Sequence, residues 1–102
     1  MTIGGFPKGS FRNDARWRGD IDVVEFTLDV HAGGKKHEFR CRVSDIALLD
    51  ASNRKGGLDA KTAIALYRRF QSRIHTAIDR KLKAGTFDAD GVILITTADL
   101  NP

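Results

Sequence analysis

The side chains with the most reactive chemistry in this chain are few and widely spaced. Its 102 residues include one cysteine, Cys41, and three histidines, His31, His37 and His75. A thiolate beside a base could act as a nucleophile, and clustered histidine and cysteine side chains could bind a transition metal. Both chemistries require groups that lie together, so the elements that carry these residues decide between an active site and a structural role.

Two runs of alternating apolar and polar residues fix the positions of three of these side chains. The runs cover residues 24–30 and 37–43, and Gly33-Gly34 between them are typical of a two-residue hairpin turn. The turn aligns the runs so that one face of the pair is apolar and a slip of one residue would expose it. The predicted pairs on the apolar face are Leu28 with Phe39, Phe26 with Cys41, and Val24 with Val43; those on the other face are Glu25 with Arg42 and Thr27 with Arg40.

The predicted register argues against nucleophilic chemistry at Cys41. Opposite Phe26 the thiol is buried in an apolar setting, which raises a thiol pKa and makes the group inert. A small core residue is also the usual role of a free cysteine. Since catalysis needs a nucleophile with a base, paired carboxylates or a metal, we expect this chain not to be an enzyme and to have no catalytic residues.

The histidines are not arranged for a metal ion. In the predicted register His37 faces Val30 on the apolar side, whereas His31 lies on the opposite side of the sheet. His75 is predicted on the outer surface of a helix, in a weak pair with Asp79 four residues later. We therefore expect no metal site and no cofactor.

Two short segments resemble ligand-binding loops without completing them. Gly33-Gly34-Lys35-Lys36 is basic and rich in glycine but lacks the strand–loop–helix setting of a phosphate-binding loop. Asp88-Ala89-Asp90-Gly91 lacks the spaced third ligand and the bidentate glutamate of a calcium loop. Turn chemistry explains both segments more simply.

Positive charge is concentrated in one region, where it could bind anions. The net charge is +4, and residues 59–85 hold seven basic and two acidic residues, a net +5. At helical spacing, one flank of this region and the polar face of the hairpin could track phosphates or contact an acidic partner. The alternative is a solvated helix face that serves solubility. The candidate residues are Arg69, Arg73, Arg80 and Lys83 on the helix, and Lys36, Arg40 and Arg42 on the hairpin.

The elements that position these residues predict an α+β fold. Ser44 can cap a short helix over residues 45–50, and Asp59 and Gly85 can begin and end one long amphipathic helix. Residues 92–96 form an apolar run typical of a strand buried on both faces. An antiparallel hairpin, a short helix, a long helix and a C-terminal strand make two layers, because the sheet and the long helix must bury each other's apolar faces.

The chain is short enough for a single domain preceded by an arm. Residues 1–20 contain several glycines and predict a loosely ordered arm, with a short strand near residues 15–17, and residues 21–102 form the domain. No apolar run reaches the length of a membrane span, and the first residues lack the apolar segment of a secretory signal. With one cysteine and no possible internal disulfide, a cytoplasmic location is expected, without a membrane partner.

Several segments resemble a known family of short proteobacterial proteins. The similar segments are Cys41-Arg42-Val43-Ser44 with Ala47-Leu48, Phe70 to Ile74 with Lys81 and Gly85, and Ile93-Leu94-Ile95-Thr96 with Asp99-Leu100. The family is domain-of-unknown-function family 1488, and the resemblance covers roughly residues 24–100. It implies a fold and a bacterial source, but no catalytic residues, since the family has no established activity.

The sequence therefore leaves two functions open. The first is a small interaction module that binds another protein; the alternative is an accessory protein that binds the phosphate backbone of nucleic acid. The outward hairpin face lacks aromatic side chains for base stacking, which argues against RNA recognition by the sheet. The sequence does not indicate the oligomeric state.

Overall fold

The computed structural model of the chain describes residues 9–87 and 90–101. Residues 1–8 of the predicted arm, Asp88 and Ala89 of the predicted turn, and Pro102 lie outside the described residues. The described residues form a mixed sheet covered by helices. Its elements are β1 (Ser10–Phe11), β2 (Arg16–Arg18), β3 (Val23–Ala32), β4 (Lys35–Ser44), α1 (Asp45–Ser52), α2 (Ala60–Arg69), α3 (Gln71–Ala84), β5 (Val92–Ile95) and α4 (Thr97–Leu100).

The hairpin of β3 and β4 confirms the predicted register. Leu28 lies opposite Phe39, Phe26 opposite Cys41, and Glu25 on the other face lies opposite Arg42. The turn glycines have φ angles of +61° and +76°, which a two-residue turn of this kind requires and which glycine adopts without strain. The apolar face of the hairpin is buried and forms the sheet side of the core.

Within the segment predicted as a loosely ordered arm, residues 10–18 contribute two short strands to the sheet. The predicted short strand lies at β2, and both β1 and β2 pair antiparallel with β3. Phe11 and Trp17 pack against the core. Asp14 between the two strands accepts hydrogen bonds from Thr27, at 2.9 Å from the backbone N and 2.6 Å from Oγ1. Aromatic burial and these hydrogen bonds attach a glycine-rich stretch to the sheet.

Strand β5 lies at the sheet edge, where it pairs parallel with β4. Ile93 and Ile95 are fully buried, but Leu94 between them is 43% exposed. The prediction of a strand buried on both faces is therefore wrong. Its physical reason is that the helices pack on only one face of the sheet, so alternate side chains of an apolar run remain in contact with water.

The predicted long helix is interrupted, although both of its ends are confirmed. Asp59 accepts a hydrogen bond from Thr62 N at 2.7 Å, and Gly85 ends the helix with a φ of +72°. At Phe70 the backbone leaves helical values (φ −103°, ψ 15°) and separates α2 from α3. A straight helix over residues 60–84 would be about 37 Å long. The break allows α2 to pack on β2, β3 and α1 while α3 packs on β5 and α4.

Two short helices complete the helical layer. The Ser44 side chain caps α1 by accepting from Ala47 N at 3.1 Å, as predicted. Helix α4 was not predicted; it begins with a capping box in which Thr96 and Asp99 satisfy each other's backbone N–H groups. Leu100 is buried in the core. Within the described ranges, no helix has the length and apolar character needed to cross a membrane.

Candidate functional site

The structure divides the seven predicted binding residues between two opposite sides of the molecule. One group, Lys36, Arg40 and Arg42, lies on the open face of the sheet, which the helices leave uncovered. The other group lies on the helical layer that covers the opposite face; it comprises Arg69, Arg73, Arg80 and Lys83. The two groups therefore cannot form one continuous binding surface.

On the open face, Arg42 is part of an ion-pair cluster around Glu25. The Glu25 side chain is only 4% exposed, and its carboxylate lies 2.8 Å from Arg42 Nε, 2.7 Å from Arg16 Nη2 and 3.3 Å from Arg18 Nη1. Burial alone would raise the pKa of Glu25, but hydrogen bonds from Arg42 and Arg16 lower it overall. Three arginines thus neutralise one buried carboxylate, and Arg42 is one of them.

A second cluster on the same face includes Lys36. The Arg12 guanidinium contacts Asp29 at 2.7 Å and Glu38 at 2.6 Å, and Lys36 Nζ lies 3.8 Å from Asp29. The hydrogen bond from Arg12 lowers the pKa of Asp29 and, reciprocally, raises that of Arg12. Arg40 is exposed and lines a small cleft of about 140 Å³ with Glu38. Acidic and basic side chains therefore alternate across this face.

The cations of the helical layer have a different environment. Within residues 9–87 and 90–101, no carboxylate lies within ion-pair distance of Arg69, Arg73, Arg80 or Lys83. The guanidinium carbons of Arg69 and Arg73 lie 5.1 and 5.4 Å from the centroid of the Phe70 ring. Both are cation–π distances, so the ring at the helix break positions two arginines on the surface.

A groove of about 360 Å³ runs between α3 and α4 and contains two of these arginines. Its lining residues are Ser72, Arg73, Thr76, Arg80, Asp99 and Leu100. Arg73 Nη2 donates to the Leu100 carbonyl and to Asn101 Oδ1, both at 2.9 Å. Arg73 thus attaches the C-terminal segment to α3, whereas Arg80, two turns along the same helix face, remains exposed.

The acidic residue of the groove is already paired. Asp99 lies 2.7 Å from Lys81 Nζ, which also donates to the Leu94 carbonyl at 2.7 Å. Burial alone would raise the pKa of Asp99, but the hydrogen bond from Lys81 lowers it overall. Only 21% of the Lys81 side chain is exposed, because its ammonium lies between Asp99 and the Leu94 carbonyl of β5.

The thiol and two of the histidines lie where the sequence placed them. Cys41 is fully buried, and burial raises the pKa of its thiol well above the ordinary value. His31 lies opposite Lys36 and His37 opposite Val30, on the two different faces of the hairpin. In the described part of the chain, no group of three or more histidine, cysteine or acidic side chains is placed to hold a metal ion.

His75 is the residue whose environment the sequence analysis missed. It was predicted in a surface pair with Asp79, but its ring stacks on Phe11 with centroids 3.7 Å apart and 5° between the planes. Its Nε2 lies 2.9 Å from the Tyr67 hydroxyl. Burial lowers the pKa of His75, and the charge of Asp79 acts in the opposite direction. The sequence alone did not predict this contact, because Phe11 lies in the N-terminal segment that was predicted to be loosely ordered.

A solved structure shares this fold. It is the crystal structure, at 1.60 Å resolution, of a protein of unknown function from domain-of-unknown-function family 1488 of Shewanella loihica PV-4. The TM-score is 0.76 at 17% sequence identity, over 90% of this chain and 96% of that chain. No family model and no curated protein matches the chain. The resemblance stated from the sequence is thus confirmed at the level of the fold, which that family's solved member shares.

Proposed function

We propose that this protein is a bacterial member of family 1488 and a small cytoplasmic interaction module without enzymatic activity. Its partner is an acidic segment of another protein, bound by the outer surface of α2 and α3. The observation that carries the proposal is the contrast in charge pairing: Arg69, Arg73, Arg80 and Lys83 have no carboxylate partner among the described residues, whereas Lys36 and Arg42, two of the three candidates on the sheet, do. Cations that the fold does not neutralise can bind an external anion.

The shape and chemistry of the groove favour a protein over a nucleic acid. Its lining combines two arginines with an aspartate and a leucine, Asp99 and Leu100. A polypeptide can place one isolated carboxylate at Arg80 and neutral groups along the rest of the groove, whereas a continuous row of phosphates would meet a lining in which Arg73 is already engaged by the C-terminal segment. Buried Cys41 argues against covalent catalysis by this thiol, since a thiol with a raised pKa is a poor nucleophile.

Binding to the nucleic-acid backbone is the second candidate, and the same cations favour it. Arg73, Arg80 and Lys83 extend along about 15 Å of helix, enough to contact more than one phosphate. Against it, no aromatic side chain is exposed on the described open face of the sheet, where stacked bases would lie in RNA-recognition sheets.

The two candidates are separated by titration of the intact protein at low salt, where electrostatic binding is strongest. Fluorescently labelled poly-glutamate and single-stranded RNA of matched length serve as probes, with anisotropy as the readout. The proposal predicts saturable binding of poly-glutamate with weaker binding of RNA. Preferential binding of RNA, with affinity that falls steeply with salt, would support the second candidate. Binding of neither probe would contradict both.

A further inference from the structure

Within the groove, the two arginines have different roles. Arg73 already donates to two oxygens of the C-terminal segment, the Leu100 carbonyl and Asn101 Oδ1. Leu100 is also one wall of the groove, so Arg73 holds that wall in place. Arg80 lies seven residues later, about 10 Å along the helix, and makes no ion pair with any described residue. Arg80 lines the groove, and no oxygen of the described chain accepts a hydrogen bond from its guanidinium.

We propose that Arg80 anchors one side-chain carboxylate of the acidic partner segment, while Arg73 is a positioning residue. This assignment rests on the proposed function and names its recognition chemistry. A guanidinium binds a carboxylate through two parallel hydrogen bonds, a geometry that lysine cannot provide. Ser72 and Thr76 line the groove from the preceding turns of the same helix, where the Thr76 hydroxyl donates to the Ser72 carbonyl at 2.9 Å.

The groove offers one uncommitted guanidinium among its lining residues. The Asp99 charge is neutralised by Lys81 at 2.7 Å, and Arg73 already donates to the Leu100 carbonyl and to Asn101 Oδ1, which leaves Arg80. A carboxylate carries one negative charge and matches this single guanidinium, whereas a phosphate monoester near neutral pH carries close to two.

The test uses the intact protein and three short labelled peptides that differ at one kind of position. The peptides contain glutamate, glutamine or phosphoserine at otherwise identical positions, and fluorescence anisotropy reports Kd. We expect the glutamate peptide to bind and the Arg80→Gln change to weaken its binding about tenfold or more, the loss of one charge-assisted bidentate contact. Arg80→Lys should recover only part of this loss, because it restores the charge without the fork.

Lys55→Gln is the matched control. It removes the same charge from an exposed loop residue that lies outside α2, α3 and the groove lining, so its effect should be about twofold or less. Equal losses in Arg80→Gln and Lys55→Gln would overturn the anchoring role of Arg80, because the loss would then reflect net charge alone. Tighter binding of the phosphoserine peptide would overturn the carboxylate assignment. If the parent protein bound none of the charged peptides, the proposed function itself would fail, and this assignment with it.

Discussion

The open face of the sheet and the outer surface of α3 carry cations in opposite circumstances. On the sheet, Arg16, Arg18 and Arg42 surround Glu25, and Arg12 and Lys36 meet Asp29. On the helix, Arg80 and Lys83 meet no carboxylate of the described chain. Both surfaces are rich in positive charge. Most cations of the sheet face are paired with carboxylates, with Arg40 as an exception, whereas on α3 Lys81 is paired and Arg80 and Lys83 are not.

This difference shows why charge in a sequence is a weak indicator of a binding site. A cation beside a buried carboxylate lowers that group's pKa and contributes to folding, so it is not available to a partner. An exposed cation without a partner contributes little to stability, and its retention on a helix face is compatible with binding. Whether a cation is paired with a carboxylate depends on its neighbours in three dimensions. This pairing distinguishes a cation that contributes to folding from one that is available to a partner.

Both surfaces depend on the core between them. A substitution that disrupts the core should therefore have the largest effect on the free energy of unfolding. Phe39 is 6% exposed and meets Phe87 edge-on, with ring centroids 4.9 Å apart. Phe39→Ala should lower the free energy of unfolding by about 3–5 kcal/mol, measured by urea denaturation. Ile46→Ala, at a side chain that is 59% exposed, is the control and should change it by less than about 0.5 kcal/mol. Overlapping curves for Phe39→Ala and the parent would show that the apolar face is not the core.

Much of this core could be predicted from the sequence because its determinants are local. The Gly33-Gly34 turn and the period of two in the flanking runs fix the hairpin register, and Ser44, Asp59 and Gly85 mark helix ends. The break at Phe70 could not be predicted, since it depends on the different elements against which α2 and α3 pack. Nothing local distinguishes this residue from the helical residues around it.

The candidate site was less predictable for a related reason. The cations of the helix flank share a face by spacing alone, but the groove exists because α4 packs beside α3. The sequence predicted that Arg42 pairs with Glu25, but Arg42 remained a candidate binding residue. The contacts of Arg16 and Arg18 with Glu25 could not be predicted, because both arginines come from the N-terminal segment. The stacking of Phe11 on His75 depends on the same segment.

Removal of the buried carboxylate should show that the sheet-face cations are structural. Glu25→Gln leaves three arginines without their counter-charge and should reduce the free energy of unfolding by about 2–3 kcal/mol. Glu38→Gln, at a carboxylate whose side chain is 58% exposed, should reduce it by less than about 1 kcal/mol. Equal and small losses of unfolding free energy in both variants would show that the cations around Glu25 are not structural. The distinction between the two surfaces would then be lost.

The pH dependence of stability gives a second measure of the same cluster. The pKa of Glu25 is lower in the folded protein than its ordinary value of 4.5, so its stabilisation is complete above that value and is lost as the pH falls through the folded pKa. The difference in unfolding free energy between the parent and Glu25→Gln should therefore be constant near neutral pH and shrink below about pH 4.5. Denaturation series at several pH values measure this; a difference that grew as the pH fell would show that the shift has the opposite sign.

The two groove arginines should differ in their effect on stability. Arg73→Gln loses the hydrogen bonds that hold the C-terminal segment and should cost about 1–2 kcal/mol. Arg80→Gln should change the free energy of unfolding by less than about 0.5 kcal/mol, because its charge is exposed and unpaired. Thermal or urea unfolding of the two variants compares them directly. A larger loss of unfolding free energy for Arg80→Gln than for Arg73→Gln would show that Arg80, and not Arg73, has the structural role.

The most direct test of the contrast between the two surfaces compares double variants of equal charge. Arg80→Gln with Lys83→Gln and Arg16→Gln with Lys36→Gln each remove two positive charges, the first pair from α3 and the second from the sheet. The affinity of each folded variant for labelled poly-glutamate is measured at one low salt concentration. The account predicts a loss of about tenfold or more for the helix variant and about twofold or less for the sheet variant. Equal losses, or a greater loss in the sheet variant, would contradict it.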